Sequence, residues 1–531
     1  MKKILVSDPL ANEGVEILIK NPEFSVDVKT GLKPEELLQI IGNYDGLLVR
    51  SETKVTKDVL NIAKNLKIIG RAGTGVDNID VKEASKKGIV VMNVPGGNTI
   101  SAAEHTVSML LSLSRNIPQA NASLKKCEWK KKEFVGVEVF GKTVGIIGLG
   151  KIGIEVAKRL LAFGMKVLVY DPFVSKERAV QLGVDSVSLD EVFKRSDYIT
   201  VHTPKTEQTK YLINAETIGK MKDGVRIINC ARGGLIDEKA LAETLKSGKV
   251  KGAALDVFEK EPLVESPFFE MNNVIMTPHL GASTEEAQTN VSVEISKQLD
   301  EFFTNGTIRN AVNFPFIPSD ILQKMQPYIN LAEKLGSYAS QFSGSMSGAI
   351  LSIEIQYSGE VAKYDLSPMT IAAVKGVLEP VSDTGFLNFI NASFIAQEKG
   401  IKVSESRVSE TADFTNLIVL KLKTEKSENI ISGTVFGKKD VRIVKINDYY
   451  VDVELSENIL VFTNVDKPGV VGKIGMILGK NSINIAAMEL GRKTAGGDAI
   501  TIVNVDNPIT DNILSEIKNL PEVKDVKMIK L

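Results

Sequence analysis

Cysteine, tryptophan and histidine are scarce in this chain, whose 531 residues contain two, one and three of them. The two cysteines, Cys127 and Cys230, are too few to stabilise a chain of this length by disulfides, which excludes a disulfide-stabilised secreted scaffold and favours a reducing compartment. No spacing of histidines and cysteines is typical of a zinc site, so we predict that the protein has no metal centre.

Long apolar runs and a strong charge of either sign are also missing. No stretch reaches the roughly 18 apolar residues of a membrane span, and the apolar run that follows Lys3 is too short for a signal peptide and predicts a first strand. The net charge of -1 gives no electrostatic basis for binding nucleic acid or an anionic membrane. We therefore expect a cytoplasmic protein that has neither as a partner.

What the chain does have is an alternation of short apolar runs with helical stretches. Since single hydrophobic cores stop growing near ~250–300 residues, several domains are expected. In residues 1–95 the runs lack the period-2 pattern of a half-exposed strand, which predicts a parallel sheet covered on both faces. The candidate strands there are Ile4–Ser7, Gly46–Arg50, Lys67–Arg71 and Gly88–Val94.

Residues 141–283 carry the densest strand–helix alternation, which predicts a doubly wound α/β unit. Its candidate strands are Thr143–Ile147, Lys166–Tyr170, Tyr198–Val201, Arg226–Asn229, Ala253–Val257 and Val274–Met276. Two capping-box patterns, Ser101-x-x-Glu104 and Ser283-Thr284-Glu285-Glu286, predict helices that extend to about Ser114 and about Phe303. Asn313–Pro318 is predicted to be a linker, and residues 458–531 a β-α-β-β-α-β unit.

A glycine-rich turn after the first strand of this unit predicts a dinucleotide site. Gly148-x-Gly150-x-x-Gly153 combines a tight turn, a close approach to pyrophosphate and the start of a helix, and Asp171 ends the next strand. An acidic residue there suits the ribose hydroxyl of NAD and repels the 2′-phosphate of NADP. The alternatives are a plain glycine turn with a surface aspartate, or NADP.

Under the hypothesis that the NAD oxidises a 2-hydroxy acid, the site also needs a cation for the carboxylate, a base for the hydroxyl proton and a partner that fixes the base. Arg232 follows a strand between small residues and can bind a carboxylate bidentately. His279 is the preferred base, because His105 fits a structural place in a helix and His202 more plausibly lines the cofactor site. Its carboxylate partner is Glu261 or Glu259, between which position alone does not decide.

Several motifs resemble the D-2-hydroxyacid dehydrogenase family, and the resemblance covers essentially the whole chain. The first are Asn229-Cys-Ala-Arg-Gly-Gly234, Phe258-x-x-Glu261-Pro262 and Pro278-His279-Leu-Gly281. Val49-Arg50-Ser51-x-Thr53, Arg71-Ala-Gly-Thr-Gly-Val-Asp-Asn78 and Asn93-x-Pro-Gly-x-Asn98-x-x-Ser-Ala-Ala-Glu104 resemble the substrate domain of long-form members that act on 3-phosphoglycerate. The resemblance selects Glu261 as the partner of His279.

The resemblance implies an α/β fold that the periodicity does not reveal, in which a Rossmann-type cofactor domain is inserted into a flavodoxin-like substrate domain. The substrate domain is then discontinuous, residues 1–97 and 284–315, and the NAD-binding domain comprises residues 98–283. An α+β intervening domain over residues 316–456 and a ferredoxin-like ACT domain over residues 457–531 follow. Closure of the first two domains would exclude water from hydride transfer.

The family likewise implies a substrate, 3-phosphoglycerate, oxidised to 3-phosphohydroxypyruvate as the first step of the phosphorylated serine pathway. The predicted substrate contacts are Arg50, Ser51, Arg71, Gly75, Asn98 and Lys131, the last of them among three lysines that follow Trp129, where some relatives carry arginine. Lysine keeps the charge of that contact but loses the fork of arginine. The predicted NAD contacts are Gly148, Gly150, Lys151, Ile152, Gly153, Asp171, His202, Thr203, Pro204, Cys230, Ala231, Asp256 and Gly281.

The C-terminal unit resembles an ACT domain, a module that pairs with a second copy to bind an amino acid. Asn464, Asp466 and Asn484 match its L-serine site, which implies feedback inhibition by serine in a homotetramer; a dimerisation module without ligand is the alternative. Lys438, Lys439 and Arg442 are the nearest candidates for an anion site in the intervening domain. The rival functions are a dehydrogenase of another 2-hydroxy acid, disfavoured by Arg50 and Arg71, and a non-catalytic NAD(H)-sensing protein.

Overall fold

The computed structural model describes residues 1–315, 319–344, 348–382, 387–408 and 414–531, and the strands within these ranges form four sheets. The predicted linker Asn313–Pro318 falls partly on residues 316–318, outside the described residues. Mixed α/β layers with two parallel sheets and two further sheets confirm the predicted fold class. No helix in the described ranges has both the length and the apolar composition needed to cross a membrane.

The first sheet is parallel and has the strand order β2-β1-β3-β4-β5, as in flavodoxin-like folds. One face packs against the helices Pro34–Ile40, Lys57–Ile62 and Val81–Lys86. The other packs against Asn12–Ile19 and a later helix, Glu285–Asn305, which contributes Val291, Ile295 and Leu299 to the buried core. The chain therefore returns to this sheet after leaving it. The elements are β1 (Lys2–Val6), α1 (Asn12–Ile19), β2 (Phe24–Val28), α2 (Pro34–Ile40), β3 (Gly46–Val49), α3 (Lys57–Ile62), β4 (Ile68–Arg71), α4 (Val81–Lys86) and β5 (Val90–Met92).

The second sheet is parallel and seven-stranded, with the order β12-β11-β10-β9-β6-β7-β8. The order reverses between β6 and β9, and ligands of open α/β sheets bind at that switch point. The elements are α5 (Thr99–Arg115), α6 (Ile117–Lys125), β6 (Thr143–Ile147), α7 (Lys151–Ala162), β7 (Lys166–Tyr170), α8 (Lys176–Gln181), β8 (Asp185–Ser186), α9 (Leu189–Arg195), β9 (Tyr198–Val201), α10 (Ala215–Lys220), β10 (Val225–Asn229), α11 (Glu238–Ser247), β11 (Val250–Leu255), β12 (Val274–Met276) and α12 (Glu285–Asn305).

Both predicted capping boxes are wrong, although the two helices exist. Helix α5 begins at Thr99, so Ser101 lies inside it, and its hydroxyl pairs at 2.8 Å with the hydroxyl of Thr284. Thr284 caps α12 by accepting a hydrogen bond from the amide of Ala287. The predicted box paired Glu286 with Ser283, which is therefore not the cap. The pairing of the two hydroxyls joins the helices where the chain passes between the first two sheets.

The third sheet is six-stranded, in the order β14-β13-β15-β16-β17-β18, and only its β13–β14 pair is parallel. Helices α13 and α14 pack on it around a large apolar core. Asn388 anchors this unit to the first by donating to the carbonyl of Gly88 at 2.9 Å, and Ile390 is buried in the core of the first sheet. The elements are α13 (Ser319–Ser343), β13 (Ile350–Gly359), α14 (Ser367–Leu378), α15 (Ala392–Glu398), β14 (Lys402–Val408), β15 (Asn416–Thr424), β16 (Glu428–Phe436), β17 (Asp440–Ile446) and β18 (Tyr449–Glu454).

The fourth sheet is antiparallel, in the order β20-β21-β19-β22, and both of its helices follow the predicted β-α-β-β-α-β sequence. Its elements are β19 (Asn458–Val465), α16 (Val470–Lys480), β20 (Ile485–Arg492), β21 (Asp498–Val505), α17 (Asp511–Lys518) and β22 (Val523–Lys530). The side-chain amide of Asn504 donates to the backbone carbonyl of Glu454, so this sheet is hydrogen-bonded to the third.

Candidate active site

The glycine-rich turn between β6 and α7 is shaped for a group that approaches the backbone. Gly148 has a φ of 97°, and a Cβ there would lie 2.6 Å from the carbonyl oxygen of His202. A Cβ at Gly153 would collide with the carbonyl of Gly148, so helix and turn pack without a side chain between them. At Gly150, the N-cap of α7, nothing lies within 4 Å of such a Cβ, which leaves the helix N-terminus open to a pyrophosphate.

Asp171 ties the end of β7 to this turn. Its carboxylate accepts from the amide of Leu149 at 2.7 Å and from that of Phe173 at 2.8 Å. Because a carboxylate has about four lone-pair sites, two oxygens held in this way can still accept from the hydroxyls of a ribose.

Three further predicted cofactor contacts, His202, Thr203 and Cys230, present neutral groups at physiological pH. Burial lowers the pKa of His202 to about 4, and its Nε2 pairs with the hydroxyl of Thr200. Burial raises the pKa of the Cys230 thiol to about 12, which excludes it as a nucleophile. The hydroxyl oxygen of Thr203 is buried and has no hydrogen-bond partner among the described residues, as expected of an atom that a bound molecule satisfies.

Arg232 projects from the loop after β10 towards the first sheet. Its Nη1 donates to the carbonyl of Ala231 at 2.7 Å, and its Nε to Asp77 at 3.0 Å. Gly75 makes room for it, since a Cβ there would lie 3.0 Å from the Cζ of Arg232 and closer still to Nη2. The loop is rigid at its base, because a Cβ at Gly233 would run into the backbone of Phe258.

Two further arginines converge on Arg232 from the first sheet. Arg71 ends β4, and its Nε donates to the carbonyl of Arg50 at 3.1 Å. Burial, together with the charges of Arg232 and Arg50, lowers the pKa of Arg71 to about 10. The guanidinium of Arg71 thus lies within electrostatic reach of both Arg232 and Arg50, an arrangement that favours an anion with more than one charge.

Two of the remaining predicted substrate contacts, Ser51 and Asn98, lie in the loops of this region, and the third, Lys131, lies elsewhere. Ser51 adjoins Arg50 and is exposed, and Asn98, which accepts from the hydroxyl of Thr74 at 3.0 Å, lies where the chain enters α5. Lys131 is exposed on a separate 3₁₀ turn, Lys131–Phe134, and none of the contacts described within this single chain joins it to the arginines.

His279 and Glu261 meet in the loops that flank β12. The Nδ1 of His279 lies 2.8 Å from an oxygen of Glu261, which leaves Nε2 for a reacting group. Burial raises the pKa of Glu261, but the hydrogen bonds from His279 and from the amide of Phe258 outweigh it and hold that pKa below its usual value. Glu259, the rival partner, instead accepts from the hydroxyl of Tyr211 and from the amide of Glu238.

Asp256 is fully buried beneath the His279 loop. Its carboxylate accepts from the amides of Leu280 at 2.7 Å and Gly281 at 2.9 Å and from the hydroxyl of Thr277, and it lies 3.2 Å from Nε2 of His105. Burial raises its pKa, but these partners outweigh that effect and lower it. The carboxylate thus fixes the loop that carries His279, and His105 supports the carboxylate.

Sequence reasoning missed two carboxylates of the site. Asp77 is the ion-pair partner of Arg232. Asp8, at the end of β1, is buried and accepts from the amides of Arg50 at 2.6 Å and Thr53 at 3.0 Å, so it shapes the loop that presents Arg50. Asp8 could have been found from its place just beyond the carboxyl end of a parallel strand, where ligand-binding residues gather. No local sequence pattern indicates that Asp77 pairs with Arg232.

The predicted regulatory residues lie at opposite ends of the fourth sheet, Asn464 and Asp466 beside the start of β21 and Asn484 beside its end, and all three are engaged within the chain. Asp466 pairs with Arg492 at 2.9 Å, Asn464 is buried and accepts from the hydroxyl of Thr501, and Asn484 donates to Asp506. In the third sheet Lys438 and Lys439 are exposed, whereas Arg442 is paired with Asp440 and Asp452. No group of three or more potential metal ligands occurs among the residues that the structure describes.

Three family models match the chain. The D-isomer specific 2-hydroxyacid dehydrogenase NAD binding domain matches residues 107–281, the D-3-phosphoglycerate dehydrogenase intervening domain residues 324–447, and the ACT domain residues 458–522. The D-3-phosphoglycerate dehydrogenase of Bacillus subtilis is 46% identical over 100% of both chains. That of Synechocystis is 45% identical over 100% of this chain and 95% of its own.

Among solved structures, the D-lactate dehydrogenase of Aquifex aeolicus, complexed with NAD and lactic acid, is similar. It is 32% identical, has a TM-score of 0.54, and the match covers 59% of this chain and 100% of that one.

Proposed function

The chain belongs to the D-3-phosphoglycerate dehydrogenase family of D-isomer specific 2-hydroxyacid dehydrogenases, and from that membership we propose that it oxidises 3-phospho-D-glycerate to 3-phosphohydroxypyruvate with NAD. One observation carries the proposal. The loops that follow neighbouring parallel strands place Arg232 and the His279–Glu261 pair on the sheet edge that also holds the glycine-rich turn.

The described residues fit NAD. The open N-terminus of α7, the carboxylate of Asp171 and the unpartnered hydroxyl of Thr203 offer donors and acceptors at the switch point of the second sheet. NAD, when bound, supplies the acceptor for the hydride that leaves C2 of the substrate. Further cofactor contacts are proposed at Lys151, Ile152, His202, Pro204, Cys230, Ala231 and Gly281. Asp256, whose carboxylate is taken up by the protein, is proposed to act through the loop it holds.

In the proposed mechanism the protein contributes binding and proton transfer. The Nη atoms of Arg232 hold the substrate carboxylate, and Nε2 of His279 takes the proton of the hydroxyl as hydride departs. Glu261 accepts from Nδ1–H, which fixes the tautomer with a free Nε2 and stabilises the imidazolium that forms. Arg50 and Arg71 are proposed to face the phosphate, with Ser51, Gly75 and Asn98 nearby and Lys131 reaching in from a second subunit.

Four further proposals follow from the family. The domain limits are residues 1–97 with 284–315, 98–283, 316–456 and 457–531. The protein is a homotetramer, it works in the cytoplasm, and L-serine inhibits it at Asn464, Asp466 and Asn484 of paired ACT domains. The ACT match supports an effector site of this kind.

The test is an assay of NADH formation with 3-phosphoglycerate, D-glycerate and D-lactate, each with and without L-serine. We expect turnover with 3-phosphoglycerate to exceed that with the other two, and serine to lower it. A preference for an unphosphorylated acid would assign the chain another substrate, and NADH binding without turnover on any of them would make it a sensor. His279→Ala should reduce kcat by about 10²–10⁴ while NADH binding, followed by fluorescence, persists.

A further inference from the structure

The ion pair of Asp77 and Arg232 joins two different sheets. Asp77 lies in the loop after β4 of the first sheet, and Arg232 in the loop after β10 of the second, 155 residues further along the chain. The proposed mechanism assigns Arg232 to the carboxylate of the substrate. The structure thus places a carboxylate of the protein on the group that is to bind a carboxylate.

The contact is suited to exchange rather than to holding Arg232 in place. It is made by Nε alone at 3.0 Å, and the side chain of Asp77 is 71% exposed. Exposed ion pairs with a single hydrogen bond contribute little to stability. Buried carboxylates that fix loops in this protein look different, since Asp256 and Asp8 each accept from two or more backbone amides.

The electrostatic surroundings give Asp77 a role before substrate binds. Burial, together with repulsion from Arg232 and Arg50, lowers the pKa of Arg71 to about 10, while Asp77 acts in the opposite direction. A substrate that brings both a carboxylate and a phosphate supplies negative charge of its own. The substrate then repels Asp77, the exposed carboxylate that pairs with the guanidinium assigned to the substrate carboxylate.

We propose that Asp77 is an exchangeable counter-ion of Arg232, which pairs with the guanidinium until the substrate carboxylate displaces it. The proposal rests on the carboxylate-binding role given to Arg232 above. Asp77 does not touch the substrate and acts only through Arg232, because the strength of its ion pair sets how strongly the substrate carboxylate must compete for the guanidinium. It follows that Asp77 raises KM for the substrate and affects kcat much less, because displacement is complete before hydride transfer begins.

The experiment compares wild type with Asp77→Asn, Asp77→Glu and Glu23→Gln in steady-state kinetics at low and high salt. Glu23 is exposed at the start of β2, so its variant matches the change of charge away from the site. We expect Asp77→Asn to lower KM for 3-phosphoglycerate by about two- to fivefold at low salt, a size set by the weakness of exposed ion pairs. High salt should shrink the difference, and Asp77→Glu, which keeps the charge, should behave like wild type.

A higher KM in Asp77→Asn would overturn the proposal, because it would mean that Asp77 holds Arg232 in its working position; an unchanged KM would overturn it as well. A second measurement does not require turnover. Sulfate, added at constant ionic strength, should raise the thermal unfolding midpoint of Asp77→Asn more than that of wild type. If wild type does not oxidise 3-phosphoglycerate, the proposed function fails, and equal sulfate shifts in the two proteins then refute the counter-ion role on their own.

Discussion

Replacing Gly75 with alanine should displace Arg232 while leaving the fold intact. A Cβ at position 75 would lie 3.0 Å from the Cζ of Arg232 and nearer to Nη2, whereas unstrained contacts to carbon need about 3.5 Å or more. The obstructed atoms, which include a carboxylate oxygen of Asp77 at 3.0 Å, are the far ends of flexible side chains, so the guanidinium moves by on the order of 1 Å and the backbone stays. We expect kcat/KM for 3-phosphoglycerate to fall about 10- to 100-fold, equivalent to roughly 1.4–2.8 kcal/mol.

The assay combines steady-state kinetics with thermal unfolding and NADH binding. A matched control is Gly219→Ala, since Gly219 lies in α10 and a Cβ there meets nothing within 4 Å. Alanine in a helix is favoured over glycine by roughly 0.5–1 kcal/mol, so this control should be slightly stabilised with unchanged kinetics. Gly75→Ala should keep the wild-type unfolding midpoint within about 2 °C and its affinity for NADH.

Two results would refute the reasoning. If Gly75→Ala retains kcat/KM within a factor of two, the position of the Arg232 guanidinium does not control substrate binding. If the variant loses stability and NADH affinity along with activity, the substitution disturbs the backbone and the collision with a mobile side chain is not its main effect.

Four more perturbations test separate parts of the structure. Glu261→Gln should lower kcat about 10- to 1,000-fold, because the charge opposite His279 is lost. Glu259→Gln, which removes an equal charge two residues away, should leave kcat unchanged, and steady-state kinetics of the two variants tests this difference. Asp171→Asn should raise KM for NAD about tenfold or more and reduce discrimination against NADP, which initial rates with both cofactors will show. Burial lowers the pKa of His202 from 6.5 to about 4, so the unfolded chain binds the proton at a higher pH than the folded protein does. The free energy of unfolding should therefore fall as the pH drops from 6.5 towards 4, by at most about 3 kcal/mol. Unfolding scans against pH should show this fall in wild type and not in His202→Gln. Ile390→Ala should lower the free energy of unfolding by about 2–4 kcal/mol, because it opens a cavity beneath the first sheet. Denaturant unfolding measures this change, and an unchanged midpoint would show that Ile390 does not pack against the first sheet in solution.

The buried parallel strands were the part of the fold that the sequence predicted best. Thr143–Ile147, Lys166–Tyr170 and Val274–Met276 have the predicted limits, since strands covered on both faces appear as unbroken apolar runs. The edge strand Phe24–Val28 was missed because its polar residues interrupt the run, and so was the two-residue strand Asp185–Ser186. Position at the edge of a sheet is not the reason, since Val274–Met276 is also an edge strand and its unbroken apolar run predicted it.

Local patterns also misplaced residues whose partners are distant in sequence. Ser101 has the spacing of a helix cap, yet its hydroxyl pairs with Thr284, 183 residues away. Glu259 and Glu261 are equivalent by position, and the structure separates them because Glu261 pairs with the imidazole of His279 whereas Glu259 accepts from Tyr211 and Glu238. Asp77 could not be predicted at all, because the loop that carries it and the loop that carries Arg232 belong to different sheets.

The two halves of the proposed chemistry are assembled in different ways. The amide of His279 donates to the carbonyl of Asp256, and its imidazole pairs with Glu261, so the base is fixed by contacts within the second sheet alone. The guanidinium of Arg232, in contrast, lies against the first sheet, where Gly75 leaves room for it and Asp77 pairs with it. A shift of one sheet against the other would therefore leave the proton-transfer pair intact and move only the carboxylate site. A ligand of the ACT domain would act on the first sheet through the third, because Asn504 joins the fourth sheet to the third and Asn388 joins the third to the first. An effector that shifts the domains in this way should change KM for the substrate before it changes the pH profile of kcat.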